Sequence, residues 1–263
     1  MTSTSENVTE VTSTNTMTAL DEQEEQLVLA PEEYTLAEAL EQLRLVESVD
    51  SRYTTIIQNP SNYPEKLIIN LANNPEMLKF VAEYPDSDSS LQSATLTEDE
   101  KDEACPLLIQ WDQRWGYQSY GDNNIAISGC GPTALSMAII GLTGNEDATP
   151  NEVADYAMNN GYYMKGTGTM WKLMKEGAED FGLHSVELDT NREQMVQSLD
   201  AGKILICSMG AGDFTTGGHF IVIYGYDDEG FKVNDPFCIY RSHQHWTYTT
   251  LQSQIKSVWA LSD

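Results

Sequence analysis

The chain has 263 residues, 40% of them hydrophobic, with 14 basic against 41 acidic side chains and a formal net charge of −27. That length accommodates one substantial core plus a smaller region. The charge repels nucleic acid and anionic membrane surfaces, no Arg/Lys patch interleaved with aromatics offsets it, and no apolar run approaches the ~20 residues that cross a bilayer.

Residues 1–104 hold 22 acidic and 5 basic side chains, so most of the charge sits early. Residues 1–30, rich in Ser, Thr, Asn and Glu, carry too little apolar surface to offset the entropy of ordering and read as a disordered polar tether. Residues 31–84 read as a small helical region. Leu36, Ala39, Leu40, Leu43 and Val46 recur at helical spacing. A second helix spans Pro64 to Asn73, and a third starts at Asn74-Pro75 and ends before Pro85. Three helices of this size are marginal alone, so they are expected to pack on the later domain, near its cleft. Residues 85–104 read as an acidic linker.

A main domain is expected over 105–263. A helix follows Cys130. Thr149-Pro150-Asn151-Glu152 predicts a capping box and a helix to about Asn159, stopped by Gly161. Further helices are predicted over Gly168–Phe181, with Trp171, Leu173, Met174 and Ala178 toward the core, and over Thr190–Leu199, with Thr190 and Glu193 as a second capping box. The character then changes to strands over Lys203–Met209, His219–Tyr226 and Gly230–Asn234, the last two joined by a turn at Asp227–Gly230, with a final strand through Val258 and Trp259. Helices followed by a mostly antiparallel sheet make an α+β domain.

Against this scaffold, three groups point to nucleophilic chemistry. Cys130, in Ser128-Gly129-Cys130-Gly131-Pro132-Thr133, opens a helix, where backbone N–H groups and the positive helix end stabilise a thiolate. The flanking glycines are expected to let a substrate backbone approach. His219 follows two glycines and starts the most apolar strand, as a base or imidazolium partner would. Asp235 ends the next strand, where a hairpin returns it to the imidazole as orienter, with Asn234 as its rival. The oxyanion needs two donors, one the backbone N–H of Cys130. The other is a glutamine amide, with Gln110 chosen over Gln113 and Gln118. The GYYMKGTGTMW segment, with Met164, Thr167, Thr169 and Trp171, offers cleft residues. Cys105 and Cys207 read as structural. Cys238, His243 and His245 do not make a closed zinc pattern, so no metal and no cofactor is expected.

At these residues the sequence resembles the C39-like cysteine peptidases of the papain-like superfamily, through PLLIQWDQRWG, SGCGPTALSMAI, GYYMKGTGTMW, GDFTTGGHFIVIYGY and VNDP. The resemblance covers about residues 105–263. It implies a papain-like fold with Cys130 as nucleophile, His219 as base, Asp235 as orienter and Gln110 as oxyanion donor, acting through a thioester on a peptide or isopeptide bond. Family members related to this chain carry a similar helical segment before the peptidase domain. In bacteriocin-processing members the glutamine lies a few residues before the cysteine. Here it lies 20 residues before, so an insertion from Gly116 to Ser128 must loop out. Those peptidases are fused to an exporter that this chain lacks, so leader processing is not inherited. The competing functions are acyl transfer on the same fold and a non-catalytic peptide- or wall-binding module. The expected partner is a peptide or protein substrate, not nucleic acid, with the chain monomeric and not inserted in a membrane. The polar tether and the resemblance point to an exported or surface location.

Overall fold

A computed structural model describes residues 30–90 and 94–263; the expected tether lies outside this range except at Ala30. Among the described residues, the N-terminal region contains four α-helices. α1, Leu36–Val46, is closed by a capping box between Thr35 and Glu38 and buries Ala39 and Leu43. α2, Ser51–Gln58, starts from an Asp50 cap. α3, Glu65–Asn73, buries Leu67, Ile68 and Leu71. Asn74 then caps a 3₁₀ turn, Pro75–Met77, that leads into α4, Leu78–Glu83. α4 stops before Pro85, as expected, and a further 3₁₀ turn, Tyr84–Asp86, follows it. Sequence periodicity missed α2 because its β-branched Thr54, Thr55, Ile56 and Ile57 lower helix propensity. Burial of Tyr53 and Ile56 overrides that cost. The four helices share one apolar cluster, and Trp111, Tyr117, Ile127 and Phe237 of the later chain pack against it.

The acidic stretch after this region is not featureless. Glu98–Asp102 forms α5, capped by Thr97 and Glu100. Arg114 holds Glu100 by hydrogen bonds of 2.6 and 2.7 Å.

The rest is a mixture of helices and antiparallel sheet. A short hairpin, β1 (Ser119–Tyr120) and β2 (Asn123–Asn124), leads into α6, Ile125–Ser128, and α7, Cys130–Thr143. α7 ends at Gly144, whose φ of +68° is the left-handed cap that glycine adopts without strain. α8, Pro150–Asn159, follows Thr149, but Thr149 Oγ1 donates to Asn151 Oδ1 and the expected capping box does not form. β3 (Tyr163–Met164) and β4 (Gly168–Thr169) make a second hairpin. This displaces the front of the helix expected from Gly168, because Gly166 and Gly168 turn the chain at positive φ. Helical structure resumes only at Leu173–Gly177, as one π turn, and at Ala178–Asp180.

The main sheet has the order β5-β10-β6-β7-β8-β9, every pair antiparallel. Its strands are β5 His184–Leu188, β6 Ile204–Met209, β7 His219–Tyr226, β8 Phe231–Asn234, β9 His245–Trp246 and β10 Ile255–Ser262. Edge strands β5 and β9 were not foreseen; Val186 is exposed on β5, and β9 has two residues, so neither presents a buried apolar run. Between β5 and β6, α9 spans Arg192–Asp200, capped by Asn191 rather than Thr190.

β6 reads as unbroken apolar sequence because both faces are buried. Ile204, Ile206, Phe220 and Val222 meet α7 on one face. Leu205, Cys207, Ile221 and Ile223 join Met195 and Phe214 on the other. Each such aliphatic side chain contributes about 1.5–3 kcal/mol on burial. The result is a rigid wall that carries His219 at the start of β7, opposite the start of α7.

Candidate active site

Cys130 is the first residue of α7, after Gly129 at the cap position. The opening N–H groups of a helix lack intrahelical partners and carry the positive end of its dipole. The two flanking glycines do not open the site to substrate, contrary to expectation. A Cβ on Gly131 would come within 2.6 Å of Thr169 Cγ2, and one on Gly129 within 2.5 Å of Ile125 O. These glycines let β4 and α6 close against the cysteine. The open backbone is instead at Gly217-Gly218, where a Cβ would meet nothing within 4 Å.

Facing the cysteine is a chain of buried polar groups. His219 Nε2 is 2.6 Å from Asp235 Oδ1. The Cys130 thiol is also a partner of this imidazole, which leaves Nδ1 as the nitrogen free to face sulfur. Phe237 N–H donates to Asp235 Oδ1 at 2.8 Å, and Arg241 Nε donates to Oδ2 at 2.6 Å. Asp235 and Arg241 are both fully buried. The Arg241 guanidinium is flanked by the rings of Phe214 and Phe237, at 5.9 and 5.7 Å from their centroids.

These contacts set the charge states. For His219, burial favours the neutral ring, but the Asp235 carboxylate and the Cys130 sulfur outweigh it and raise the pKa to about 9. For Asp235, burial favours the acid, but the Arg241 guanidinium, the imidazole and the Phe237 amide hold the group down at about 2. At neutral pH these neighbours therefore favour the imidazolium form of His219, held between the Asp235 carboxylate and the Cys130 sulfur.

Asn234, the rival orienter, is elsewhere. Its Nδ2 donates to the carbonyls of Cys105 and Pro106 at 3.0 and 3.2 Å. Gln110 shares a cavity wall with Cys130 and His219. One N–H of its amide donates to Ala126 O at 2.7 Å, so the other remains for an oxyanion. Its Oε1 is buried with no partner. Gln113 is bound to Glu83 and Tyr117, and Gln118 Nε2 to Arg114 O; neither lines the two cavities at Cys130. The 20-residue gap between Gln110 and Cys130 closes because the β1–β2 hairpin folds back: Ile125 N–H donates to Gln118 O and Ala126 N–H to Gly116 O.

Sequence reasoning missed Arg241, whose signal is only a cation six residues after the aspartate. It also missed how the N-terminal region holds this loop. Glu76 accepts from the N–H groups of Ile239 and Tyr240 at 2.8 and 2.9 Å, and Asn74 Nδ2 donates to Phe237 O at 2.7 Å. The Gln110 N–H donates to Pro236 O, which ties the glutamine to the same loop.

Of the expected cleft residues, Thr167, Thr169 and Trp171 line a cavity of about 610 Å³ beside Cys130, and Met164 does not. Trp171 is 48% exposed rather than in the core. Cys105, Cys207 and Cys238 are buried, and burial pushes the Cys105 thiol up to about 12. Cys238, His243 and His245 do not converge. Among the described residues the group whose donor atoms meet is Asp227, Glu229 and His245, exposed and with Lys232 already on Asp227.

A family model, described as the Peptidase_C39 like family, matches residues 103–262. A solved structure described as a "putative C39-like peptidase" from Bacillus anthracis aligns at 15% identity and a TM-score of 0.33, covering 64% of this chain and 98% of that one. No curated protein matches the chain. Among the described residues, no helix is long and apolar enough to cross a membrane.

Proposed function

Because the chain belongs to the Peptidase_C39 like family, we propose that it is a cysteine peptidase of papain-like arrangement, hydrolysing a peptide or isopeptide bond. The observation that carries this reading is the run Arg241–Asp235–His219, which ends on the Cys130 thiol at a helix start. The His219 proton comes from the thiol. The thiolate attacks the carbonyl carbon, and the oxyanion takes the free Gln110 N–H and backbone N–H at the start of α7. The C–N bond breaks as the imidazolium gives its proton to the departing amine, leaving a thioester. Water, deprotonated by His219, attacks the thioester. The carboxylic acid leaves and the proton returns to sulfur. Asp235 stays ionised throughout and orients the ring, as a triad carboxylate does. The acidic, Ser/Thr-rich N-terminal stretch supports an exported or surface setting.

The test uses the full chain with a mixture of synthetic peptides, read by mass spectrometry. Paired products are expected from the wild type and none from Cys130→Ala. Equal product from both overturns the reading. Low-dose iodoacetamide across pH 5–9 gives a second readout: fast labelling of Cys130 at low pH, slowed in His219→Ala.

A further inference from the structure

The nucleophile lies on a ridge between two cavities. Ile127, Cys130, Gly218 and His219 line both. A substrate laid across the open Gly217-Gly218 backbone therefore sends one flank into each. The two cavities differ in charge. In the larger, about 610 Å³, Lys256 is the single charged side chain beside the shared histidine. In the smaller, about 400 Å³, the charged side chains beside that histidine are Glu32 and Glu33.

Local structure places Lys256 and the backbone of Glu32 at the two cavities. The β10–β6 ladder shifts register between Ile255 and Ser257, so Lys256 sits at a bulge, a device that re-aims a side chain. Its stem crosses Gly210, where a Cβ would come within 2.2 Å of Lys256 Cε. None of the ion pairs among the described residues uses this ammonium, although the chain carries 41 acidic side chains. On the other side, Glu32 is anchored to α3 through its backbone. Its N–H donates to Asn73 Oδ1 at 2.7 Å, and Asn73 Nδ2 donates to its carbonyl at 3.1 Å. The helical region thus delivers two carboxylates to the cleft wall.

We propose that the groove selects its substrate by charge on both flanks of the reacting carbonyl: an acidic residue in the cavity of Trp171 and Lys256, a basic residue in the cavity of Glu32 and Glu33. The proposal rests on the peptidase reading for the reaction but not for the binding. Lys256, Glu32 and Glu33 are exposed, so each charge contributes a screened, roughly 3- to 5-fold preference.

Fluorescent hexapeptides with a central Ala-Ala, flanked by acidic–basic, basic–acidic, acidic–acidic, basic–basic and neutral pairs, are titrated at low ionic strength into full-length Cys130→Ala by anisotropy. One mixed order is expected to bind roughly 10-fold or more tighter than its reverse. Lys256→Glu, on the same background, should invert the preference on one flank only, and Glu32→Lys with Glu33→Lys the preference on the other. Equal binding of all peptides, no binding, or a ranking that neither variant changes overturns the proposal. Wild-type turnover of the preferred peptide is scored separately. Charge-ranked binding without cleavage keeps this proposal and removes hydrolysis, whereas cleavage without ranking does the reverse.

Discussion

The two walls of the cleft are held by different forces. The α7 wall is apolar. Its residues from Gly131 to Ile140 are buried, and it reaches the cysteine through close packing of Thr169 and Ile125 on glycines. The sheet wall presents a buried ionic chain, Arg241–Asp235–His219, in which each group depends on the next for its charge. The difference predicts that Cys130 can be replaced without harm to the fold, whereas Asp235 cannot. A buried pair broken on one side leaves an uncompensated charge, a loss on the order of 3–5 kcal/mol.

Cys130→Ala is the sharpest test of the apolar wall. Peptide turnover should fall by roughly 10⁴-fold or more, while calorimetry shows a melting temperature within about 2 °C of wild type. Asp235→Ala should fail on both counts. We expect activity reduced about 10⁴-fold, with a urea midpoint lowered in keeping with the stranded Arg241 guanidinium. A stable, inactive Asp235→Ala would erase the distinction between the walls. Gln110→Ala, between them, should lower kcat about 10²- to 10³-fold with little change in KM.

The pH response comes next. His219 has its pKa raised to about 9, so its contribution to stability is complete below the ordinary imidazole value of about 6.5 and is lost as pH rises through about 9. Asp235 is held down at about 2, so its contribution is present above the ordinary carboxylate value of about 3.9 and is lost as pH falls through about 2. Stability and kcat/KM should both decline on the alkaline side near pH 9. In Asp235→Asn the alkaline limb of the rate profile should move down toward the ordinary imidazole range, and an unmoved limb would deny the carboxylate its hold on the ring.

The smallest effect expected is at Glu76, whose carboxylate accepts from two backbone N–H groups. Glu76→Ala leaves the Ile239 and Tyr240 N–H groups without their acceptor. A loss of about 1–3 kcal/mol, with a several-fold fall in kcat and faster hydrogen exchange at residues 237–241, would show that the helical region braces the loop carrying Asp235 and Arg241.

How much of this was legible beforehand follows from the range of each interaction. Cys130 at the helix start, His219 at the head of an apolar strand and Asp235 after the next strand are signalled by residues within a few positions of each, because capping, alternation and turns are local physics. α2 escaped because its β-branched face looks unhelical until Tyr53 and Ile56 are buried by neighbouring helices. The start of the π turn at Leu173 escaped because two glycines first make a hairpin. Arg241 gave only the weak signal of a cation six residues after the aspartate, since an arginine in the short helix Ile239–Ser242 ordinarily faces water, and only the enclosing rings and Asp235 make it part of the site.

The sequence by itself therefore determined the helix-then-sheet order and the candidates for nucleophile, base and orienter. Tertiary structure decided between Asp235 and Asn234 as the imidazole's neighbour, because the last residue of β8, Asn234, turns toward Cys105 and the residue just after the strand, Asp235, toward His219. It also decided what the flanking glycines do, which glutamine lines the cleft, and which charges stand on either side of the cysteine. Those outcomes depend on contacts between residues far apart in the chain, from Glu76 on Ile239 to Lys256 over Gly210, and such contacts exist only once the backbone has closed on itself.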